Sequence, residues 1–264
     1  MREEKTYLVT VVMTALNERA SIGAAIESIL SQTMHDFELL IIDDGSTDST
    51  GDIARSFSDP RIRVIRHERP KGISASRNEG ILASCSKYIA IFDADDVSRK
   101  DRLEKQVAYM EAHPAVALCG SWGIMKSELG SNEFRQPVSS AEIKAAILKT
   151  NPVVNSSMMA RAEILKEYLY DSSLKRHEDY DLCLRIALKY DLYNIPEPLI
   201  EYETSFSLKY RFAETLWKMR VRWRAFYRYG YPLIKAYWVL VPIIIFIIPT
   251  ALKWRLKKVI TLPK

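Results

Sequence analysis

The chain has 264 residues, 48% of them hydrophobic and 27% charged, which supplies a sizeable core and excludes a disordered or fibrous protein. Its formal net charge of +5 is unevenly placed, since basic residues crowd the segment after Leu208; that segment is expected to meet an anionic surface, and no nucleic-acid partner is expected. The three cysteines, Cys85, Cys119 and Cys183, are far apart in apolar surroundings, which excludes a disulfide framework and a zinc site and fits a reducing cytosol.

The opening "MREEKTYLVTVVMT" runs from charge straight into a strand-like stretch, with no apolar leader or small-residue cleavage site, so no secretory signal is expected. Over the first 120 residues, short β-branched runs alternate with helical patterns: "YLVTVVMT" then "ERASIGAAIESILSQ", "FELLIID" then "STGDIARSF", "IRVIRH" then "GISASRNEGILAS", "YIAIFD" then "RKDRLEKQVAYMEAH". Strict alternation implies right-handed crossovers and an α/β, Rossmann-like fold with a mostly parallel central sheet covered by helices on both faces. From Ser121 to Glu203 the pattern becomes irregular. "NPVVNSSMMAR" reads as a strand, "HEDYDLCLRIALKY" as a helix and "DLYNIPEPLIEYE" as a late strand. The expected division is a globular domain over 1–204, with a nucleotide-fold half (1–120) and a second half (121–204) that packs on the sheet and closes one side of a cleft, followed by a membrane-associating region over 205–264.

Between Ser205 and Tyr229, Phe212, Leu216, Met219, Trp223 and Phe226 recur at helical spacing with Arg and Lys between them, predicting a basic amphipathic helix. The run "AYWVLVPIIIFIIPTAL", 236–252, would reach about 25 Å as a helix, against roughly 30 Å for a hydrocarbon core, and Pro242 and Pro249 interrupt it. With basic residues on both sides, an in-plane or re-entrant anchor that keeps both flanks on the cytoplasmic face is the expectation. A true span, a buried core helix and a homodimer interface are the alternatives.

The chemistry concentrates in carboxylates at strand ends. Asp43 and Asp44 follow "ELLII"; Asp93, Asp95 and Asp96 follow "YIAIF". Ligands of open α/β sheets bind outside the carboxyl ends of the strands, so two strands delivering acids to one edge make a pocket for a metal and a ribose or base. The first and third residues of "DAD" are placed to meet one Mn2+ or Mg2+ that also binds a diphosphate. Each acidic pair alone is equally compatible with a solvated turn or helix cap. Glu178, Asp179 and Asp181 crowd the start of an apolar-periodic helix, where repulsion and partial burial would raise a carboxylate pKa.

"TALNE", "DDGSTDST", "GISASRNEGI", "DADD" and "HEDYDLCLR", in this order, resemble the signature of the family 2 inverting glycosyltransferases with a GT-A fold, of the bacterial surface-polysaccharide type. The resemblance covers Leu8 to Tyr202. It implies a nucleotide site lined by Thr14, Ala15, Asn17 and Glu18, a base contact from Asp43 or Asp44, and Arg77 steadying the acidic pocket. It further implies a nucleoside contact at Asp93, with Ala94 beside it, metal ligation by Asp95 with Asp93, and Asp179 as catalytic base. The implied donor is a nucleotide-sugar, UDP-linked by preference, and the implied acceptor a lipid-linked saccharide. The Q-x-x-R-W motif of processive members is absent; the nearest string is "RVRW", 220–223, so non-processive transfer is expected. A nucleotidyltransferase would want a Gly-rich loop after the first strand and a dehydrogenase a G-x-G-x-x-G; neither is present. A non-catalytic sugar-nucleotide-binding protein at a membrane surface is the remaining alternative.

Overall fold

The computed structural model describes residues 6–127, 130–203 and 208–240. The chain forms two compact units, Met1–Ser205 and Phe206–Lys264. The first begins with four strand–helix repeats: β1 (Val9–Ala15), α1 (Ile22–Leu30), β2 (Phe37–Asp43), α2 (Thr50–Ser56), β3 (Ile62–Arg66), α3 (Ile73–Ala83), β4 (Tyr88–Asp93) and, after the two-residue β5 (Val97–Ser98), α4 (Arg102–Ala112). It continues through β6 (Val116–Ser127), β7 (Gly130–Phe134), α5 (Ser140–Ala146), β8 (Met159–Arg161), α6 (Ala162–Tyr168), α7 (Glu178–Ile186) and β9 (Asp191–Glu203).

All nine strands share one sheet in the order β3-β2-β1-β4-β8-β6-β9-β5, with β7 paired to β6. The β3-β2-β1-β4 half is parallel throughout, because each strand there is followed by a helix that carries the chain back across a face. Beyond β4 the sheet is mixed, which corrects the expectation of a mostly parallel sheet. β8 runs antiparallel to both β4 and β6, β6 and β9 are parallel, and β5 and β7 pair antiparallel with β9 and β6. The strand read over "NPVVNSSMMAR" is correct only at its end. Asn155–Ser157 form a 3-10 turn before Met159 enters the sheet, as expected of polar residues that compete with strand pairing. β6 escapes periodicity because Gly120 and Gly123 interrupt it. β7 escapes because every residue in it is exposed.

The core lies between the sheet and its helices. β1 is buried along its whole length, and α1 presents Ile22, Ala25, Ile26 and Ile29 to the same cluster, the i, i+3, i+4, i+7 spacing of one apolar face. α3 has a small-residue face of Ser74, Ser76 and Gly80. A Cβ on Gly80 would lie 2.4 Å from Val12 Cγ1, so this glycine sets how near α3 comes to β1.

In the second unit α8 (Leu208–Tyr227) is followed by a 3-10 segment, Leu233–Val239. The apolar stripe expected on α8 is divided: Leu216 and Trp223 are exposed, Phe226 is buried, and the Phe212 side chain lies outside the described residues. No helix among the described residues is long and apolar enough to cross a membrane. Most of the apolar run, residues 241–252, lies outside them.

Gly80→Ala is expected to lower stability by about 1–3 kcal/mol, although alanine is the better helix former. The double variant with Val12→Ala should lose less than the two single losses added together. Urea unfolding of the four proteins measures the coupling, and an additive pair would refute the close approach.

Candidate active site

A cleft of about 320 Å3 opens at the carboxyl ends of β1, β2 and β4. Of the residues expected in the site, Thr14, Ala15, Glu18, Asp44, Asp93, Ala94 and Asp95 line it. Leu16, Pro70, Gly72, Ile73 and Ser76 complete the wall; sequence reasoning did not single these out, since apolar and small residues carry no signature of their own.

Two of the expected residues instead build the framework. Asn17 has φ 59°, the left-handed region that Asn tolerates. Its Oδ1 accepts from Thr47 N at 2.9 Å and Thr47 Oγ1 at 3.2 Å, while its own N–H donates to Ser46 Oγ at 3.0 Å. The Glu18 amide donates to Thr50 Oγ1 at 2.8 Å, so the turns after β1 and β2 are knitted into one rim. Asp43 is fully buried, accepts from Ser46 N at 3.0 Å and pairs with Arg66 Nε at 3.4 Å. It shapes the turn and is not among the cleft-lining residues. Gly45, at φ 79°, reverses the chain there, where a Cβ would meet Arg69 C at 2.8 Å.

Asp44 faces the cleft yet is committed to protein partners. Oδ1 accepts from Lys71 N at 2.8 Å and meets His67 Nδ1 at 2.7 Å, and Oδ2 accepts from Gly72 N at 2.9 Å. Burial raises its pKa, but these bonds outweigh burial and hold it below the ordinary value of 3.8. Asp44 thereby fixes the loop that leads into α3.

Arg77, on α3, is buried beneath the cleft. Nη2 donates to Asp93 Oδ1 at 2.7 Å and Nη1 to Glu178 Oε1 at 2.6 Å, and the guanidinium stands over the Tyr170 ring at 5.3 Å. One cation therefore joins the end of β4 to the start of α7, 101 positions apart in sequence from Arg77 to Glu178. Burial works against its charge, but Asp93 and Glu178 prevail and hold the pKa above its ordinary value. The other oxygen of Asp93 accepts from Ser156 Oγ at 3.0 Å and Asn155 Nδ2 at 3.3 Å. Despite burial, these partners lower the pKa of Asp93.

The remaining acids of "DADD" differ sharply. Asp95 is exposed at the cleft. Asp96 is buried, and burial together with Asp93 pushes its pKa up to about 8. Below it lies Arg102, fully buried, donating to Ser156 O at 2.6 Å and to Ile91 O at 3.3 Å; burial lowers its pKa to about 10.

Among the described residues, no group of three or more His, Cys, Asp or Glu side chains is arranged to hold a metal by itself. Mg2+ and Mn2+ are satisfied by one or two carboxylates completed with phosphate oxygens and water, and Asp95 fits that donor set. Asp93, expected as a second ligand, does not, because Arg77, Ser156 and Asn155 occupy both its oxygens.

At the start of α7 the three acids also separate. Asp181 is buried and paired with Arg185 Nε at 2.9 Å. Glu178 is held by Arg77; burial and the neighbouring Asp179 raise its pKa while Arg77 lowers it, so the carboxyl driven upward is Glu178. Asp179 accepts one hydrogen bond, from Asn151 Nδ2 to Oδ2 at 2.6 Å, and its Oδ1 is uncommitted. Asn151 was not legible as a site residue, although it lies in the stretch misread as strand.

The model of glycosyl transferase family 2 matches residues 10–169. The chain belongs to this family. It is 39% identical over 203 residues to an uncharacterised glycosyltransferase of Methanocaldococcus jannaschii, covering 74% of this chain and 70% of that one. It is 32% identical over 183 residues to an Escherichia coli UDP-Glc:alpha-D-GlcNAc-diphosphoundecaprenol beta-1,3-glucosyltransferase, covering 69% and 71%. In fold it resembles the mannosyltransferase PcManGT of Pyrobaculum calidifontis, solved with GDP-Man and Mn2+, with a TM-score of 0.71 at 16% identity over 99% of this chain and 82% of that one. The mixed sheet with flanking helices is consistent with a GT-A architecture, and glycosyl transfer is the activity class of this family member.

Asp44→Asn places an amide N–H against the Gly72 N–H and is expected to cost about 1–3 kcal/mol at neutral pH. A carboxylate with a depressed folded pKa stabilises above its unfolded pKa and loses that contribution as pH falls through the folded value. The gap between wild type and variant should therefore close as the medium is acidified below about pH 4. Denaturant unfolding from pH 7 downward tests this; a gap independent of pH would show that Asp44 is not held as the anion.

Proposed function

We propose that this protein is an inverting, non-processive, metal-assisted glycosyltransferase. It moves a sugar from a nucleotide diphosphate donor, UDP-linked in the first instance, to a hydroxyl of a lipid-linked saccharide during cell-surface polysaccharide assembly. The observation that carries the reading is the Arg77 fork between Asp93 and Glu178, which ties the cleft carboxylates to the helix turn that bears Asp179.

Within this reading the residues have separate tasks. The cleft between the β1 and β2 rims takes the nucleotide, with Thr14, Ala15 and Glu18 on one side and Asp44 and Gly72 on the other. Asp95 would hold a Mn2+ or Mg2+, which when bound supplies positive charge to the diphosphate oxygens. Asp179 accepts the proton of the acceptor hydroxyl while that oxygen forms the new bond to the anomeric carbon. The bond from that carbon to the phosphate oxygen breaks on the opposite face, and its electron pair leaves with the nucleoside diphosphate. An α-linked donor then gives a β-linked product. Asp179 suits the task better than its neighbours because Glu178 and Asp181 are each consumed by an arginine. Asn151 fixes one oxygen of Asp179 and leaves the other for the hydroxyl.

The donor and acceptor classes draw support from the Escherichia coli relative, whose name pairs UDP-Glc with a diphosphoundecaprenol-linked GlcNAc. It weighs more than the GDP-Man of PcManGT, which shares the fold at 16% identity. Non-processive transfer draws support from the missing Q-x-x-R-W string.

Nucleotide release from UDP-, GDP- and dTDP-sugars, each with Mn2+, Mg2+ or EDTA, tests the proposal. Asp179→Asn should lower turnover by about 10²–10⁴-fold with donor binding retained, and Asp95→Asn should remove the metal dependence of donor binding. Full activity in both variants would dismiss the assignments. Donor binding without transfer in wild type supplied with a lipid-linked saccharide would favour the non-catalytic alternative.

Asn151→Ala should lower turnover with donor binding retained, because Asp179 loses the donor that fixes one of its oxygens. Unchanged turnover would remove Asn151 from the positioning of the base.

A further inference from the structure

We infer that the second unit carries a docking face for an anionic lipid surface. In and just after the 3-10 segment, Leu233, Ile234, Tyr237 and Leu240 are 73%, 86%, 59% and 56% exposed. The segment is fixed on α8. Arg222 Nη1 donates to Trp238 O at 2.8 Å, and the Tyr231 amide donates to Ala225 O at 3.0 Å. On α8 itself Trp223 and Tyr227, with ring centroids 6.4 Å apart, are both more than half exposed. Large apolar side chains gathered so densely in one short stretch of surface mark an interaction site.

Charge decides what covers it. Lys218 and Arg220 on α8, Arg228 just after it and Lys235 in the 3-10 segment are exposed, and Glu214 is the last acidic residue of the sequence. A second copy would set these cations against themselves. Residues 241–264 add further Lys and Arg and no acid, so they offer these cations no complement either. An anionic bilayer surface provides both missing features, negative headgroups for the cations and an acyl boundary for Leu233 and Ile234. Tyr and Trp side chains favour the level of the headgroups. The inference concerns where the protein binds and stands whether or not the reading of the cleft holds.

The test is flotation of the full chain with phosphatidylcholine vesicles, with and without phosphatidylglycerol. Partition should be on the order of tenfold stronger with the anionic lipid and weaken with added salt. Leu233→Asp/Ile234→Asp should reduce it on the order of tenfold while leaving thermal unfolding and the mass in solution unchanged. Should that double variant misfold, Lys235→Glu reads the same face and should weaken partition only to anionic vesicles. Equal partition of wild type and variants, or indifference to phosphatidylglycerol, would overturn the inference. So would a dimer in solution that the same double variant abolishes, since a second copy would then be the occupant.

Discussion

The buried guanidinium of Arg77 is the constraint on which the candidate active site depends. A cation with so little access to water must be paired, and removing one partner of such a group costs more than the pair itself contributes. Here the partners come from different halves of the chain, Asp93 from the fourth strand and Glu178 from the seventh helix. The ion pairs therefore do what neither half can do by itself: they fix the distance between the end of the parallel sheet and the helix turn carrying Asp179. Tyr170 beneath the guanidinium reinforces this. Its backbone N–H and C=O exchange hydrogen bonds with the Asn78 side chain, and its hydroxyl donates to Asn155 Oδ1 at 3.0 Å. Asn155 in turn donates to Asp93, closing the loop around the arginine.

The same logic of commitment sorts the other carboxylates. An acid held by protein donors is framework, however close it lies to the cleft. Asp43 holds a turn, Asp44 holds two backbone amides, Asp93 holds Arg77 and Asp181 holds Arg185. The two acids that the proposed reaction uses lie on different elements, Asp95 at the cleft and Asp179 on α7. Residue type alone cannot make this division, because donor positions are properties of the folded chain.

Much of the fold was legible. The runs 37–43 and 88–93 coincide with strands because each is an apolar stretch bounded by turn-forming residues, and 191–203 coincides with one despite its internal prolines. The parallel half followed from strict alternation with helices. The mixed half did not, since β8 contributes three residues and finds its place between β4 and β6 through tertiary pairing. In the site, Thr14, Ala15, Asp44 and Asp95 of the motifs line the cleft. The role of Asp93 was hidden because its partners, Arg77, Asn155 and Ser156, lie far from it along the chain. Crowding at Glu178, Asp179 and Asp181 was visible, but which of the three keeps a free oxygen depends on where Arg77 and Arg185 point.

Three carboxylates within four residues, Asp93, Asp95 and Asp96, can coexist because they do not all act as free anions. Arg77 neutralises Asp93 through an ion pair of 2.7 Å. Burial and the neighbouring Asp93 raise Asp96 to about 8, which disfavours its charged form. The buried Arg102 spends its donors on the carbonyls of Ser156 and Ile91, and its Nε on Gln106. It braces the turn beneath the acids without forming a close ion pair to Asp96. Pairing offsets the charge of Asp93 and burial disfavours that of Asp96, while Asp95 is exposed at the cleft. That concentrates the negative charge of the motif at the point where a cation accompanying a diphosphate would arrive, while the rest of the cluster serves as rigid support.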